Sequence, residues 1–222
     1  MCSHYQAVTA LERFERSFQA AAPRGQLRAD MWPTYPAAAV ISRTGQREAI
    51  IGRWGLVAAT AKAINPKLST FNARCETVAT SPTYKGAWAK GQRCIVPAEA
   101  VYEPDWRSGR HVPTRLQRAD GNPLAIAGLW DSWALPSGEV LLSFTMLTIN
   151  ADAHPLMKHM HRPQDEKRML VILADDAHDE WLNAGLPPGK PTPTNLLAPY
   201  PAECLVATGE PSQTLLDNPG LF

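Results

Sequence analysis

A chain of 222 residues with 45% hydrophobic content can bury a sizeable core within one domain, and its 22 Lys and Arg against 21 Asp and Glu exclude a global electrostatic pull toward nucleic acid. Any such binding must use a local patch. Four scattered cysteines without a C-x-x-C pair argue against a zinc ribbon, redox dithiol or secreted disulfide framework, and no basic leader or apolar run of ~18 residues suggests export or membrane insertion, so a cytoplasmic protein is expected.

Taken in chain order, the first residues are chemically the most distinctive. Removal of Met1 would leave Cys2 with an α-amine and a thiol on neighbouring carbons. These ionise near ~8 and ~8.5, and together they can close a five-membered ring on an aldehyde. Leu11, Phe14 and Phe18 recur at helical spacing, and Thr9 with Glu12 forms a capping-box pattern; Pro23 and Gly25 should end this helix. AAAVISR and REAIIGRW read as a hairpin around Thr44-Gly45-Gln46. Residues 55–70 suit a loop, and a short helix is expected at 83–90. RCIVP, AVYEPDW, HVPTRLQR, PLAIAGLWDSW and EVLLSFTMLTI make the centre mostly β, with turns at Asp120-Gly121-Asn122 and Ser137-Gly138. Residues 153–160 read as helical, RMLVIL as a buried strand and DDAHDEWLNAG as a helix ended by Gly185. The Pro-rich LPPGKPTPTNLLAPYP reads as a surface excursion within a single domain, and there are no internal repeats, Walker loop or G-x-G-x-x-G.

Several residues could carry chemistry. Asn72, Arg74 and Glu76 form either a hydrogen-bonding site or, as pattern alone favours, a turn cap with surface pairing. Glu103 is a general acid or base if its strand turns it inward and a solvated charge if outward. His154, His159 and His161 crowd one stretch; without an accompanying Cys or acid ladder, a single proton-shuttling His is favoured over a metal site, and neither metal nor cofactor is expected. The seven tryptophans are expected in core or rim packing, with one or two available to stack on bases.

Cys2 after the initiator Met, WGL at 54–56, NARCET at 72–77, RCIVPAEAVYE at 93–103, PLAIAGLWDSW at 123–133, SFTMLT at 143–148, and HRP followed by RMLVIL together resemble the SOS response-associated peptidase family, or SRAP domain. The similarity spans residues 2 to about 173, with 174–222 divergent. It implies an α+β fold, one domain over 1–222 with a curved, barrel-like, mostly antiparallel sheet and peripheral helices. It also implies action on abasic sites in single-stranded DNA by a monomer, associated with the nucleoid when bound. In such a protein the mature Cys2 condenses with the ring-opened deoxyribose aldehyde to a thiazolidine crosslink. Asn72 orients the amine or sugar, Glu103 is the general acid/base and His161 assists ring opening and reversal. Arg74, Thr148 and Arg168 contact the DNA backbone. The peptidase name refers to removal of Met1, by self-catalysis or by an aminopeptidase.

This chain departs from the family pattern in places. Cys2-Ser3-His4 stands where Cys-Gly-Arg is usual, putting a titratable His in place of a phosphate-binding Arg. Trp32-Pro33-Thr34-Tyr35-Pro36 replaces the Asn-Ala-Pro segment, Pro104 replaces the Trp after the catalytic Glu, and the spacing from His161 to Arg168 is long. Two rival functions remain: a non-catalytic reader of DNA structure, and a cysteine peptidase acting beyond its own Met1.

Overall fold

In a computed structural model, residues 2–25, 28–135, 137–185 and 194–209 are described. The chain begins with β1 (Tyr5–Ala7), helix α1 (Leu11–Phe18), β2 (Asp30–Met31), β3 (Pro36–Arg43), β4 (Gln46–Trp54) and β5 (Asn72–Arg74). Helix α2 (Lys85–Ala89) leads to β6 (Arg93–Asp105), β7 (Val112–Arg118), β8 (Leu124–Ala134) and β9 (Val140–Asn150). After β10 (Arg168–Leu170) come α3 (His178–Leu182) and β11 (Leu205–Thr208). Among the described residues, no helix is long and apolar enough to cross a membrane.

Five strands close on themselves in the order β3, β4, β9, β8, β6 and back to β3. All neighbours are antiparallel except β4 and β9. Closure removes the unpaired edges that an open sheet would expose. The expected hairpin is β3 and β4, with Arg43 opposite Gln46. Thr44 and Gly45 between them have φ 52° and 81°, the left-handed pair that a two-residue hairpin with native twist requires. The barrel is filled tightly at Gly128, where a Cβ would lie 2.5 Å from the Thr145 carbonyl oxygen and 2.9 Å from Cys94 Sγ.

Two strands outrun the barrel and build the candidate site. RCIVP and AVYEPDW, separate in sequence pattern, form the single 13-residue β6. Its first half pairs with β3 and β8, and its second half carries β1 and β7. Likewise the far end of β9 carries β5 on one side and β10 on the other.

Two local expectations need correction. Helix α1 has Ala10 as its N-cap without a side-chain bond, so Thr9 and Glu12 make no capping box; it ends at Gln19 in the left-handed region, before Pro23. Phe14 and Phe18 are buried, whereas Leu11 is exposed. Residues 153–160 are turns with one 3₁₀ segment, Met157–His159. There Pro155 has no N–H, and His154 Nδ1 accepts from the Leu156 and Met157 amides, so the side chain takes donors that a growing helix would commit to carbonyls. Residues 186–193 of the Pro-rich excursion lie outside the described residues, but the chain after it returns to the sheet, with β11 against β7.

Candidate active site

Four segments distant in sequence bring Cys2, Asn72, Glu103 and His161 to one rim of the barrel. Cys2 precedes β1, which is laid on β6 with Tyr5 opposite Val101, while the Tyr102 amide donates to the His4 carbonyl at 3.0 Å. That register sets Cys2 beside Glu103. Both are buried, at 1% and 3% exposure, so Glu103 lies on the inner face and is not a solvated surface charge. The Cys2 thiol donates to the His4 carbonyl at 3.2 Å. Burial first, and the nearby Glu103 charge second, push the thiol pKa well up.

Asn72 enters from β5, buried at 7% exposure. Its Nδ2 donates to the Cys2 carbonyl at 2.7 Å, and the Tyr84 hydroxyl braces its backbone by donating to the Asn72 carbonyl at 3.0 Å. Asn72 Oδ1 is buried without a hydrogen-bond partner among the described residues. An orphaned acceptor costs ~1–3 kcal/mol, and an amine donor on Cys2 would recover that cost. Turn capping therefore does not describe Asn72.

His161 arrives by another route. Its amide donates to the Pro104 carbonyl at 2.7 Å, Met160 bridges Asp105, and the imidazole is thereby turned toward β6. Nε2 lies 3.5 Å from Glu103 Oε2 and 3.3 Å from the Arg168 carbonyl. Two oxygen acceptors facing one nitrogen favour the proton on Nε2. His161 also has φ 63°, a left-handed conformation that costs a non-glycine residue ~1–3 kcal/mol and persists where the surroundings enforce it. Here Lys167 helps to enforce it: buried at 8% exposure, its Nζ donates to the His161 carbonyl at 3.4 Å and to that of Arg162. Of the other two histidines in this stretch, His154 caps the turn described above and donates through Nε2 to the Tyr200 carbonyl, and His159 accepts the Trp106 amide through its own carbonyl.

The three expected DNA-contacting residues fall together but not alike. Arg74 has a side chain 47% exposed, ion-paired to Glu166. Thr148 and Arg168 are 1% and 3% exposed. The Thr148 hydroxyl donates to the Ala73 carbonyl and accepts from Arg168, so it faces inward. Arg168 is held by Glu76, Glu166 and the Thr148 carbonyl. Burial opposes its charge, but the two carboxylates more than offset that, and its pKa lies above the usual arginine range.

His4 is the residue whose surroundings the sequence least prepares for. It is buried, not presented to solvent as a phosphate-binding cation would be. Trp32 and Tyr102 stack on it, each with ring centroids 4.1 Å away, and Asp30 binds Nε2 at 2.8 Å. Desolvation lowers its pKa despite Asp30, leaving it neutral near pH 7. This stack forms part of the wall of a cavity of about 310 Å³ that also meets Glu103, His161, Pro104 and Trp106. Trp54 and Trp181, by contrast, are core. Sequence reasoning missed Lys167, Glu166 and the stack; the only available signal was the long, charged spacing between His161 and Arg168.

A closed barrel with a cysteine, an asparagine, a glutamate and a histidine gathered at its rim fits one known class, and the chain belongs to it: residues 1–209 match the family described as SOS response associated peptidase (SRAP). The match runs beyond residue 173 and includes β11. Among relatives, "Abasic site processing protein YobE" of Bacillus subtilis (strain 168) is 34% identical over 161 residues, covering 70% of this chain and 67% of that protein. "Abasic site processing protein HMCES" of Gallus gallus is 29% identical over 153 residues, or 59% of this chain and 44% of that protein. This chain therefore corresponds to less than half of the latter's length. A crystal structure of a protein from Bordetella bronchiseptica superposes with a TM-score of 0.84 at 47% identity, covering 94% of this chain and 99% of that one. Another from Bacteroides thetaiotaomicron, at 20% identity and a TM-score of 0.76, shares the fold.

Proposed function

We propose that this protein binds abasic sites in single-stranded DNA and crosslinks to them through Cys2 once Met1 has been removed. The observation that carries this reading is the convergence of Cys2, Asn72, Glu103 and His161, together with the abasic-site processing named for its relatives. An abasic sugar is mostly a closed hemiacetal, so a proton must leave its hydroxyl and reach the ring oxygen before an aldehyde appears; Glu103 and His161 are the groups for that transfer. The Cys2 amine, oriented by Asn72, then adds to the aldehyde carbon and water leaves to give an imine. The sulfur adds to the imine carbon and its proton passes to nitrogen, directly or through Glu103. The net change is aldehyde plus aminothiol giving thiazolidine plus one water.

A thiol whose pKa is raised by burial suits this order, with the amine leading and the sulfur closing the ring. It suits a peptidase acting on other chains less well, because such an enzyme starts from a thiolate. In this reading Arg74 and the Arg168 Nη1 that now holds Glu166 take backbone phosphate, and Thr148 seats Arg168. A single-stranded lesion suits a buried cysteine because the sugar is already out of a duplex stack. The reading is tested by incubating the protein with an oligonucleotide carrying one abasic site and heating in denaturant. A heat-stable adduct that is lost in Cys2→Ala supports it, whereas an equal adduct from Cys2→Ala rules out thiazolidine chemistry.

A further inference from the structure

Arg74 and Arg168, the two cations expected to meet phosphate, already share a carboxylate in the free protein. Glu166 Oε2 lies 2.6 Å from Arg74 Nη1, and Glu166 Oε1 lies 2.9 Å from Arg168 Nη1. One anion thus spans two guanidiniums with one oxygen on each, an arrangement open to two oxygens of a phosphodiester. The surroundings of the site are unequal in firmness. Arg168 is anchored: Glu76 binds it through two bonds of 2.9 and 2.8 Å, the Thr148 carbonyl accepts at 2.7 Å, and Glu76 itself accepts the Asn150 amide at 3.2 Å. Glu166 is not anchored in this way. Its side chain is 36% exposed, and its further contact is Asn150 Nδ2 at 3.5 Å, a group that lies closer to Asp152, at 2.7 Å. The Arg74–Glu166 pair, with side chains 47% and 36% exposed, is of the kind that is weak and readily exchanged, which leaves the bond to the buried Arg168 as the firmer half of the hold on Glu166.

We propose that Glu166 is the resident occupant of an anion subsite built by Arg74 and Arg168, and that a backbone phosphate of the incoming strand displaces it. The proposal rests on the single-stranded DNA reading above. Its consequence is specificity: with Glu166 seated, the pair of arginines offers little net attraction to a stray anion. A strand gains the site only when it delivers a phosphate within reach of both guanidiniums while other parts of the strand are held.

The test uses the full chain and a labelled single strand carrying one tetrahydrofuran residue, an abasic analogue that cannot crosslink, with binding read by fluorescence anisotropy at low and high salt. Glu166→Gln, which keeps the shape and removes the charge, is expected to bind about fivefold tighter at low salt, the scale of the one exposed pair with Arg74. The gain should shrink at high salt and in an Arg74→Gln background. Glu166→Ala serves as a second variant should the glutamine disturb folding. Affinity equal to or below wild type in folded variants overturns the proposal, as does an undiminished gain in the Arg74→Gln background. A reactive abasic strand run in parallel separates the two readings: wild-type crosslinking without the affinity gain defeats the exchange alone, and the gain without crosslinking defeats the crosslinking chemistry alone. Absence of binding by every variant defeats both.

Discussion

Glu103 is assigned two opposing effects on Cys2, and they can be separated. Its charge raises the thiol pKa, so Glu103→Gln should lower that pKa and speed alkylation of Cys2 by iodoacetamide at a given pH. The same substitution removes a proton carrier and should slow crosslinking by ~10²-fold or more. Parallel loss of both rates would show that the variant has merely closed the site. His161→Ala should slow crosslink formation and reversal without removing the product, since in the proposed reaction the amine and thiol of Cys2 complete the ring. Lys167 holds the His161 carbonyl, so if His161 has the proposed role Lys167→Met should slow the same steps, and Lys167→Met with His161→Ala should be no slower than His161→Ala alone. Additive losses in single-turnover rates would assign Lys167 a separate role. At this scale the sequence was only partly legible. Cys2 is visible because its place after Met1 would give it two nucleophiles once Met1 is removed, and Glu103 because a carboxylate amid apolar strand residues invites burial. Asn72 looked like a turn residue because its partner, the Cys2 carbonyl, is 70 residues away.

At the scale of elements, the site depends on β6 and β9 continuing past the barrel, and barrel packing should therefore support it. Gly128 of β8 tests the packing: Gly128→Ala forces a methyl against the Thr145 carbonyl, and such overpacking costs ~1–3 kcal/mol. The melting temperature should fall by ~2–4 °C per kcal/mol. An unchanged Tm would mean that β8 and β9 yield easily. The strands were well marked in sequence, by alternation and by the Gly and Asp turns, whereas their closure into a barrel came only from the family resemblance. The stretch 153–160 misled because its helical look ignored Pro155 and a side chain competing for backbone amides.

The whole molecule has a net charge of +1, so noncovalent DNA affinity should come from the local arginines and weaken with ionic strength. Stability should depend on pH in two stages. His4 and His178 have pKa values lowered by burial, so the unfolded chain binds their protons more readily, and stability falls as pH drops below about 6.5. Glu76, Glu166 and Asp120 have depressed pKa values, Asp120 at about 2, through hydrogen bonds from Arg168 and Arg118. Their contribution is present above ~4.5 and is lost on further acidification. Thermal melts from neutral to acid pH should show both declines, and a flat Tm through the first would contradict the buried neutral imidazoles. Neither stage could be read from sequence, since His4 resembles a surface substitute for arginine until Trp32 and Tyr102 are seen to enclose it.

In the proposed reaction one residue, Cys2, supplies both nucleophiles. Intact mass of the adduct formed with an abasic oligonucleotide, followed by peptide mapping, tests this most directly. The expected mass is that of the chain without Met1 plus the oligonucleotide minus one water, with the modification confined to Cys2. An adduct on a chain that retains Met1, or one mapped to a lysine, would contradict it.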